Sequence, residues 1–437
     1  IEMSVPCLEA TKEEQDAAVS EEDAMKSESK ETESNKETQN ERKRRFPDPE
    51  PSKRSKPKLD GQEDVHVNIA YDEPSDLSTG TSKEEEYESH SVIVAKHYNT
   101  IENKSLAHRN NSRILYMRNF NNWIKSMQIG EYTNKLRQKH THGSSFKVLD
   151  LCCGKGGDIP KWTLSNVTHV IFSDIAELSV EQCKKRYESR TSNNRRQVSA
   201  FTAQFITADC TKVRLREKFK DPSVQLDLVS CQFAFHYSFE SLQQAECMLR
   251  NVSESLRPGG YFIGTIPDAY DLVSRWQKSD GNTFGNEVYS IEFLCDKTKP
   301  PLFGAKYNFF LEGVVNCPEF LVHLPTFTKL ALKFGLELEM FERFDSYYER
   351  MKRDGLSTLN RMQGLETYPP HHNVALLGNP TKDYKHAMKF VKNIPSRHKI
   401  GTLSQAEWEA ISIYAVFAFR KMKTTWNREG KPEYVKQ

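Results

Sequence analysis

The chain has no run of 18 apolar residues to suggest a membrane span, and no membrane partner is expected. Short CxxC spacing is missing too. Nine cysteines are scattered and odd in number, with only Cys152 and Cys153 adjacent. That usage reads as a reduced intracellular chain; it favours neither a disulfide framework nor a zinc site, and no metal is expected. A strong charge of one sign is also lacking: the formal net charge is +2 over 437 residues, so any nucleic-acid contact has to be local. Residues 1–20 carry five acids and no long apolar run, which does not resemble a secretory leader.

Apolar clustering is nearly absent from residues 1–40, which hold twelve acidic side chains and four lysines. Such a segment cannot repay the entropy of folding and is expected to be disordered. The polar stretch runs on to about Glu88, and the folded part is expected to begin near Ser91 or Lys96. Residues 1–90 therefore read as a disordered acidic and basic regulatory tail, and 91–437 as the folded domain. Within the tail, Arg42, Lys43, Arg44 and Arg45 form one basic cluster, and Lys53, Arg54 and Lys56 a second, separated by prolines and acids. These read as nuclear localisation clusters for an import receptor, or as nucleic-acid contacts; the plain alternative is a solvated basic patch. An acidic block followed by a basic one can also dock partners by charge complementarity.

From Lys147 onward the pattern becomes regular. Five nearly apolar runs read as strands: KVLDL, THVIFSD, AQFITAD, LDLVSCQF and YFIGTIPD. Helical spacing over Ser179 to Tyr187 and Ser241 to Leu256 separates some of them, and Arg257-Pro-Gly-Gly reads as a stop after the second helix. Alternating strands and helices, with strands apolar on both faces, predict an α/β fold with a mostly parallel sheet covered on both sides. Residues 96–140 read as a helical prelude, and 279–306 as a polar insertion. PEFLVHLPTFTKLALKFGLEL reads as a loop and a helix, residues 354–399 resist assignment, and the chain closes on a helix running into a final strand.

In open parallel sheets, ligands sit beyond the carboxyl ends of strands. The first strand ends in VLDLCCGKGGD, residues 148–158. A phosphate-cradling loop needs GxxxxGK[ST], and a dinucleotide fingerprint needs GxGxxG; neither spacing is present. Asp158 also stands where a phosphate would approach. A ligand without phosphate suits the turn, and S-adenosylmethionine is one, with a sulfonium, an amino-acid end, a ribose and an adenine. Asp150 could orient its ammonium, Asp174 accept both ribose hydroxyls, and Asp209 accept from the adenine amino group. Gly154 and Gly156 would let backbone approach closely. Each aspartate alone could simply cap a turn; three at successive strand ends form a coordinated set.

On the substrate side, SCQFAFHYSFE follows the fourth strand and offers His236 and Tyr237, with Phe233 and Phe235 as flat surfaces or core. Pro267 closes the fifth strand. Glu319 directly precedes an apolar run, and Tyr414 carries a hydroxyl inside an apolar strand, where it needs a partner or a ligand.

Taken together, RNFNNWIKS (118–126), VLDLCCGKGGD, FSDIAELSVEQCKKRY (172–187), SCQFAFHYSFE, RPGGYFIGTIPD (257–268), LEGVVNCPEFLV (311–322) and GTLSQAEWEAISIYAVFAF (401–419) resemble the eukaryotic mRNA cap guanine-N7 methyltransferases, close to the animal nuclear enzymes. The resemblance covers residues 96 to about 420. It implies a class I, Rossmann-like methyltransferase fold with a seven-stranded sheet flanked by helices, and transfer of a methyl group from S-adenosylmethionine to the cap guanine. It implies donor contacts at Lys125, Asp150, Gly154, Asp174, Asp209, Gln232 and Tyr237. Cap-guanine contacts would fall at Asn121, Asn122, His236, Tyr237, Pro267, Glu319 and Tyr414. Basic residues of the prelude would meet the triphosphate and RNA. Partners implied are capped RNA, a small RNA-binding activating subunit, the transcription and capping machinery and a nuclear import receptor, with location in the nucleus. Because N7 carries a free lone pair and the sulfonium methyl is already activated, no general base or nucleophile is expected. One position departs from the pattern: Cys152 stands where the family's turn has glycine. At positive φ the cysteine would be strained by about 1–2 kcal/mol; otherwise its sulfur would crowd the methionine moiety. The alternatives are a catalytically weakened protein that binds RNA or partners, and a methyltransferase for another substrate.

Overall fold

The structure is a computed structural model that describes residues 8–9, 90–100, 112–139, 145–193, 201–393, 398–428 and 432–435. The basic clusters Arg42–Arg45 and Lys53–Lys56, and the tail expected over residues 1–90 apart from 8–9 and His90, lie outside the described residues.

Five parallel strands form where the apolar runs predict them: β1 (Lys147–Leu151), β2 (His169–Asp174), β3 (Thr202–Thr207), β4 (Leu226–Gln232) and β5 (Leu256–Pro267). With β10 (Leu336–Arg343) and β13 (Tyr414–Lys421) they make a seven-stranded sheet in the order β10-β13-β5-β4-β1-β2-β3. β13 runs antiparallel to both neighbours, and the other pairs are parallel. The order reverses beside β1, which has β2 on one side and β4 on the other, and this switch point opens a crevice at the carboxyl ends. β1, β4 and most of β5 are buried, as a sheet covered on both faces requires.

The prelude is two helices, α1 (His90–Thr100) and α2 (Leu115–Arg137). α2 buries Phe120, Trp123 and Ile124 beside Tyr348 and Trp408. Its entry is pinned by Arg113, which lies 3.1 Å from Asp383 and 3.7 Å from the buried Glu407. That prelude cation thus helps to hold the fold together. α3 (Ile159–Leu164) follows the glycine turn, α4 (Glu177–Asn193) extends the expected helix in both directions, and α5 (Leu242–Ser253) is capped by Ser241.

Three expectations need correction. The second helix does end ahead of Arg257-Pro-Gly-Gly, at Ser253, but the strand starts before those residues and not after them: the register jumps from Leu226↔Leu256 to Leu228↔Tyr261, and Gly259 at φ 80° lets β5 absorb the irregularity. The polar stretch 279–306 holds two strands, β6 (Thr283–Gly285) and β7 (Tyr289–Phe293). With β8 (Lys306–Leu311) and β9 (Val315–Phe320) they form a separate antiparallel sheet in the order β9-β8-β7-β6. One face of it is exposed, so polar residues alternate with buried Tyr289, Ile291, Phe293, Tyr307 and Phe309. Finally, PEF belongs to β9, the helix is α7 (Leu324–Lys333), and GLEL opens β10. Within residues 354–399, short helices at Leu356–Arg361 and Lys385–Lys392 and a strand at Glu366–Tyr368 supply structure that the sequence pattern does not reveal.

Candidate active site

At the end of β2, the buried Asp174 carboxylate accepts from the backbone N–H of Gly154 at 2.8 Å and of Ala176 at 2.9 Å. Burial raises its pKa, opposed by these N–H groups. The glycine turn is thereby tied to the neighbouring strand. Gly154 sits at φ 51° with open space where a Cβ would be. At Gly156 the lack of a side chain also serves packing: a Cβ there would meet Ile159 Cδ1 of α3 at 2.6 Å and Cys183 Sγ of α4 at 2.8 Å.

Cys152 adopts φ 56°, in the left-handed region, so the strain expected of a non-glycine residue is present. Its sulfur reaches the Cys210 and Cys231 thiols and packs against the core beneath the turn. Phe235, the other aromatic with a possible core role, is fully buried and stacks on Phe327 at 4.6 Å.

Asp150 accepts from Trp162 Nε1 at 2.9 Å. Burial, reinforced by the nearby Asp158 charge, pushes its carboxyl up to about 7. The folded protein therefore holds a proton that the unfolded chain releases. The stability this supplies is full below the ordinary carboxylate pKa and is lost as pH rises through about 7. An ammonium brought to Asp150 favours the ionised form, so affinity for S-adenosylhomocysteine is expected to rise between about pH 6 and 7.5; calorimetry giving a flat profile would mean that this carboxylate does not meet the ligand.

Asp158 is buried between two lysines: Lys125 Nζ from α2 and Lys161 Nζ from α3 each lie 2.8 Å from Oδ1. Burial opposes ionisation, yet the two ammonium groups win and hold its pKa below the usual carboxylate range. Asp158 is thus a neutralised partner, not the bare acid that the turn sequence suggested. Lys125, assigned to the donor, is engaged here, at the edge of the turn. Asn122 Oδ1 joins the same cluster through Lys161 at 3.4 Å, while the buried Asn121 Oδ1 has no hydrogen-bond partner among the described residues.

Asp209 lies two residues beyond β3 and accepts from Thr211 N at 3.0 Å and Thr211 Oγ1 at 2.6 Å. It caps its own turn and also lines a cavity with Cys152, Ile175, Tyr237 and, from α1, His90 and Val94. Gln232, the last residue of β4, leaves its Oε1 buried and without a partner among the described residues.

A second cluster assembles beside it. Glu319 on β9 is buried and accepts from Tyr307 OH at 2.9 Å; these two are register partners. Tyr237 OH lies 3.5 Å from Glu319 and 3.3 Å from Tyr98 OH of α1. His236 is buried, with Nε2 3.3 Å from Glu319. Tyr414, at the start of β13, pairs directly with Pro267 at the end of β5, and its hydroxyl is within electrostatic reach of Glu319. Burial, with Glu319 nearby, raises the phenol pKa of Tyr237, Tyr307 and Tyr414, so all three stay protonated donors. His236, Tyr237, Pro267, Glu319 and Tyr414 are therefore brought together, and Tyr237 touches both clusters.

Sequence reasoning missed Tyr98, Tyr307 and Lys161. Tyr307 carried a readable signal in the alternation of YNFFL, and Lys161 in its three-residue spacing from Asp158. Nothing local marks Tyr98.

A Rossmann-like sheet with acids at successive strand ends and a phosphate-free glycine turn defines a class I methyltransferase. The mRNA (guanine-N(7))-methyltransferase domain model matches residues 81–422. Over 344 residues the chain is 50% identical to the mRNA cap guanine-N(7) methyltransferase of Drosophila melanogaster, covering 78% of this chain and 79% of the relative. Against the Caenorhabditis elegans enzyme of the same name it is 40% identical over 340 residues, covering 76% and 87%. The rice mRNA cap guanine-N(7) methyltransferase 1 (Oryza sativa subsp. japonica) is 38% identical over 334 residues, covering 75% and 80%. The chain belongs to the mRNA (guanine-N(7))-methyltransferase family.

Proposed function

We propose that this protein transfers the methyl group of S-adenosylmethionine to N7 of the terminal guanosine of the 5′–5′ triphosphate cap of mRNA. The observation that carries the reading is the buried Glu319 carboxylate, held by Tyr307 and flanked by Tyr237 and His236, next to strand ends that carry Asp150, Asp174 and Asp209. Guanine presents donors at N1 and N2, which a buried carboxylate accepts; adenine does not.

The residues present fit the donor. Asp174 keeps free lone pairs for ribose hydroxyls, Gly154 leaves open space, and the unpartnered Gln232 oxygen awaits a hydrogen-bond donor. Asp209 and Tyr237 would flank the base, and Lys125 would close the site from α2. When bound, S-adenosylmethionine supplies a methyl group already activated on a sulfonium. This chain's residues then hold and orient. Glu319 would bind the guanine N1 and N2 edge and favour the ring as positive charge develops on it. His236, Pro267, Tyr237 and Tyr414 would wall the base, with Asn121 and Asn122 ordering the segment above. Because N7 needs no deprotonation, the rate comes from alignment, and no side chain is assigned as a base.

The resemblance extends the reading to partners. Capped RNA is the substrate; a small RNA-binding activating subunit and the transcription and capping machinery are its proposed associates. Nuclear location, through an import receptor that reads Arg42–Arg45 and Lys53–Lys56, belongs to the same proposal.

Base selectivity tests it. GpppG should be methylated, and ApppA, which has no guanine at either end, should fall by about 10²-fold or more in kcat/KM, because it cannot satisfy Glu319. Equal use of both, or of neither, would contradict the assignment.

A further inference from the structure

The donor site faces its ligand with an oxygen whose orientation is set from behind. Gln128, fully buried on α2, donates both hydrogens of Nε2 to backbone carbonyls: Gly264 O at 3.1 Å and Phe417 O at 2.9 Å. These carbonyls belong to register partners on β5 and β13. A carbonyl only accepts, so the Gln128 amide has one possible orientation, with Oε1 turned away. That oxygen meets Gln232 Nε2 at 3.0 Å. The second hydrogen of Gln232 Nε2 goes to Ser230 Oγ at 3.1 Å. Both hydrogens of the Gln232 amide are thus taken from behind, and its buried Oε1 is left over, with no partner among the described residues. Ser230 is the register partner of Asp150, so this oxygen and that carboxyl stand on adjacent strands at the same end of the sheet.

We propose that Gln128 is a positioning residue which locks the Gln232 amide so that its oxygen, not its amino group, meets the ammonium of the methyl donor. The inference rests on the donor-site reading above. With the amide reversed, Gln232 would present N–H groups to a cation. The lock converts a group that could face either way into a fixed acceptor, and selectivity for the ligand's amino end follows.

The test uses S-adenosylhomocysteine and its deaminated analogue, which lacks only the α-amino group, titrated calorimetrically into the full chain. The unmodified protein should prefer the amino form by about tenfold or more. In Gln128→Met that preference should shrink to about twofold or less, with the deaminated analogue bound as before and KM for GpppG unchanged. Ser230→Ala, a small change that keeps the fold, should lose part of the preference in the same direction. Preference retained in both variants would overturn the inference, as would equal weakening of both ligands, the mark of a merely structural glutamine. An unmodified chain that binds neither nucleoside would overturn the donor-site reading itself and the inference with it, an outcome visible before any variant is made.

Discussion

Glu319→Ala should lower kcat/KM for capped RNA by about 10²–10³-fold while leaving affinity for S-adenosylhomocysteine unchanged. The carboxylate is nearly inaccessible, at 3% exposure, and its oxygens are already aimed by Tyr307 and Tyr237. Little reorganisation is required when a guanine edge arrives, which is why its loss should fall on the transition state. Glu319→Gln is the control for shape. It can still accept from Tyr307, but its amino group would face the guanine donors and its charge is gone, so most of the loss should remain. Steady-state kinetics alongside ligand titration separates the roles. If donor binding falls as much as kcat/KM in Glu319→Ala, the glutamate only supports the small sheet.

The other large effect is on stability. Asp158→Ala should cost about 3–5 kcal/mol, because it leaves Lys125 and the 7%-exposed Lys161 without the carboxylate that both approach to 2.8 Å. Buried ion pairs contribute little relative to an apolar replacement, but breaking one by removing a single partner strands the remaining charge. Here one carboxylate serves two ammonium groups, and Lys161 is too enclosed to turn to solvent. Urea denaturation of the two chains measures this, with the midpoint shifting at constant slope. A loss below about 1 kcal/mol would mean that water or backbone carbonyls already satisfy the lysines. The acid dependence has a definite sign. The lowered Asp158 pKa contributes stability above the ordinary carboxylate range, and that contribution is lost only as pH falls through the folded value.

These two sites differ in how far the sequence discloses them. The five central strands are legible because each is a short apolar run, and the switch-point rule then places Asp150, Asp174 and Asp209 at one edge before any coordinates are known. The small antiparallel sheet is not, because its strands are three to six residues long with one face exposed, so their charge obscures the two-residue period. Glu319 stands out in the sequence, yet the tyrosines that aim it come from β8 and from the turn after β4. Tyr98 comes from a helix 139 positions away from Tyr237, and no local pattern anticipates that contact. Asp158 shows a subtler limit. Its charge was readable, but its neutralisation depends on Lys125, 33 residues earlier in the chain, and that reverses the electrostatic argument drawn from the turn alone. Amide orientation is further still from sequence, since carbonyls of two strands distant in the chain orient Gln128, which with Ser230 then orients Gln232.

Cys152 stands in the turn between the first strand and Gly154. Its φ of 56° stores strain of about 1–2 kcal/mol, while its sulfur lies against Cys210 and Cys231 beneath the turn. The fold therefore absorbs the cysteine at a cost in stability, and the residue also lines the cavity it shares with Asp209 and Tyr237. The deciding measurement is methyl transfer from labelled S-adenosylmethionine to GpppG-capped RNA by the unmodified chain beside Cys152→Gly, with the modified base identified after digestion. The account predicts 7-methylguanosine from both, with the glycine variant melting at the higher temperature. Product from the glycine variant alone would contradict it and leave this chain a methyltransferase fold without the reaction.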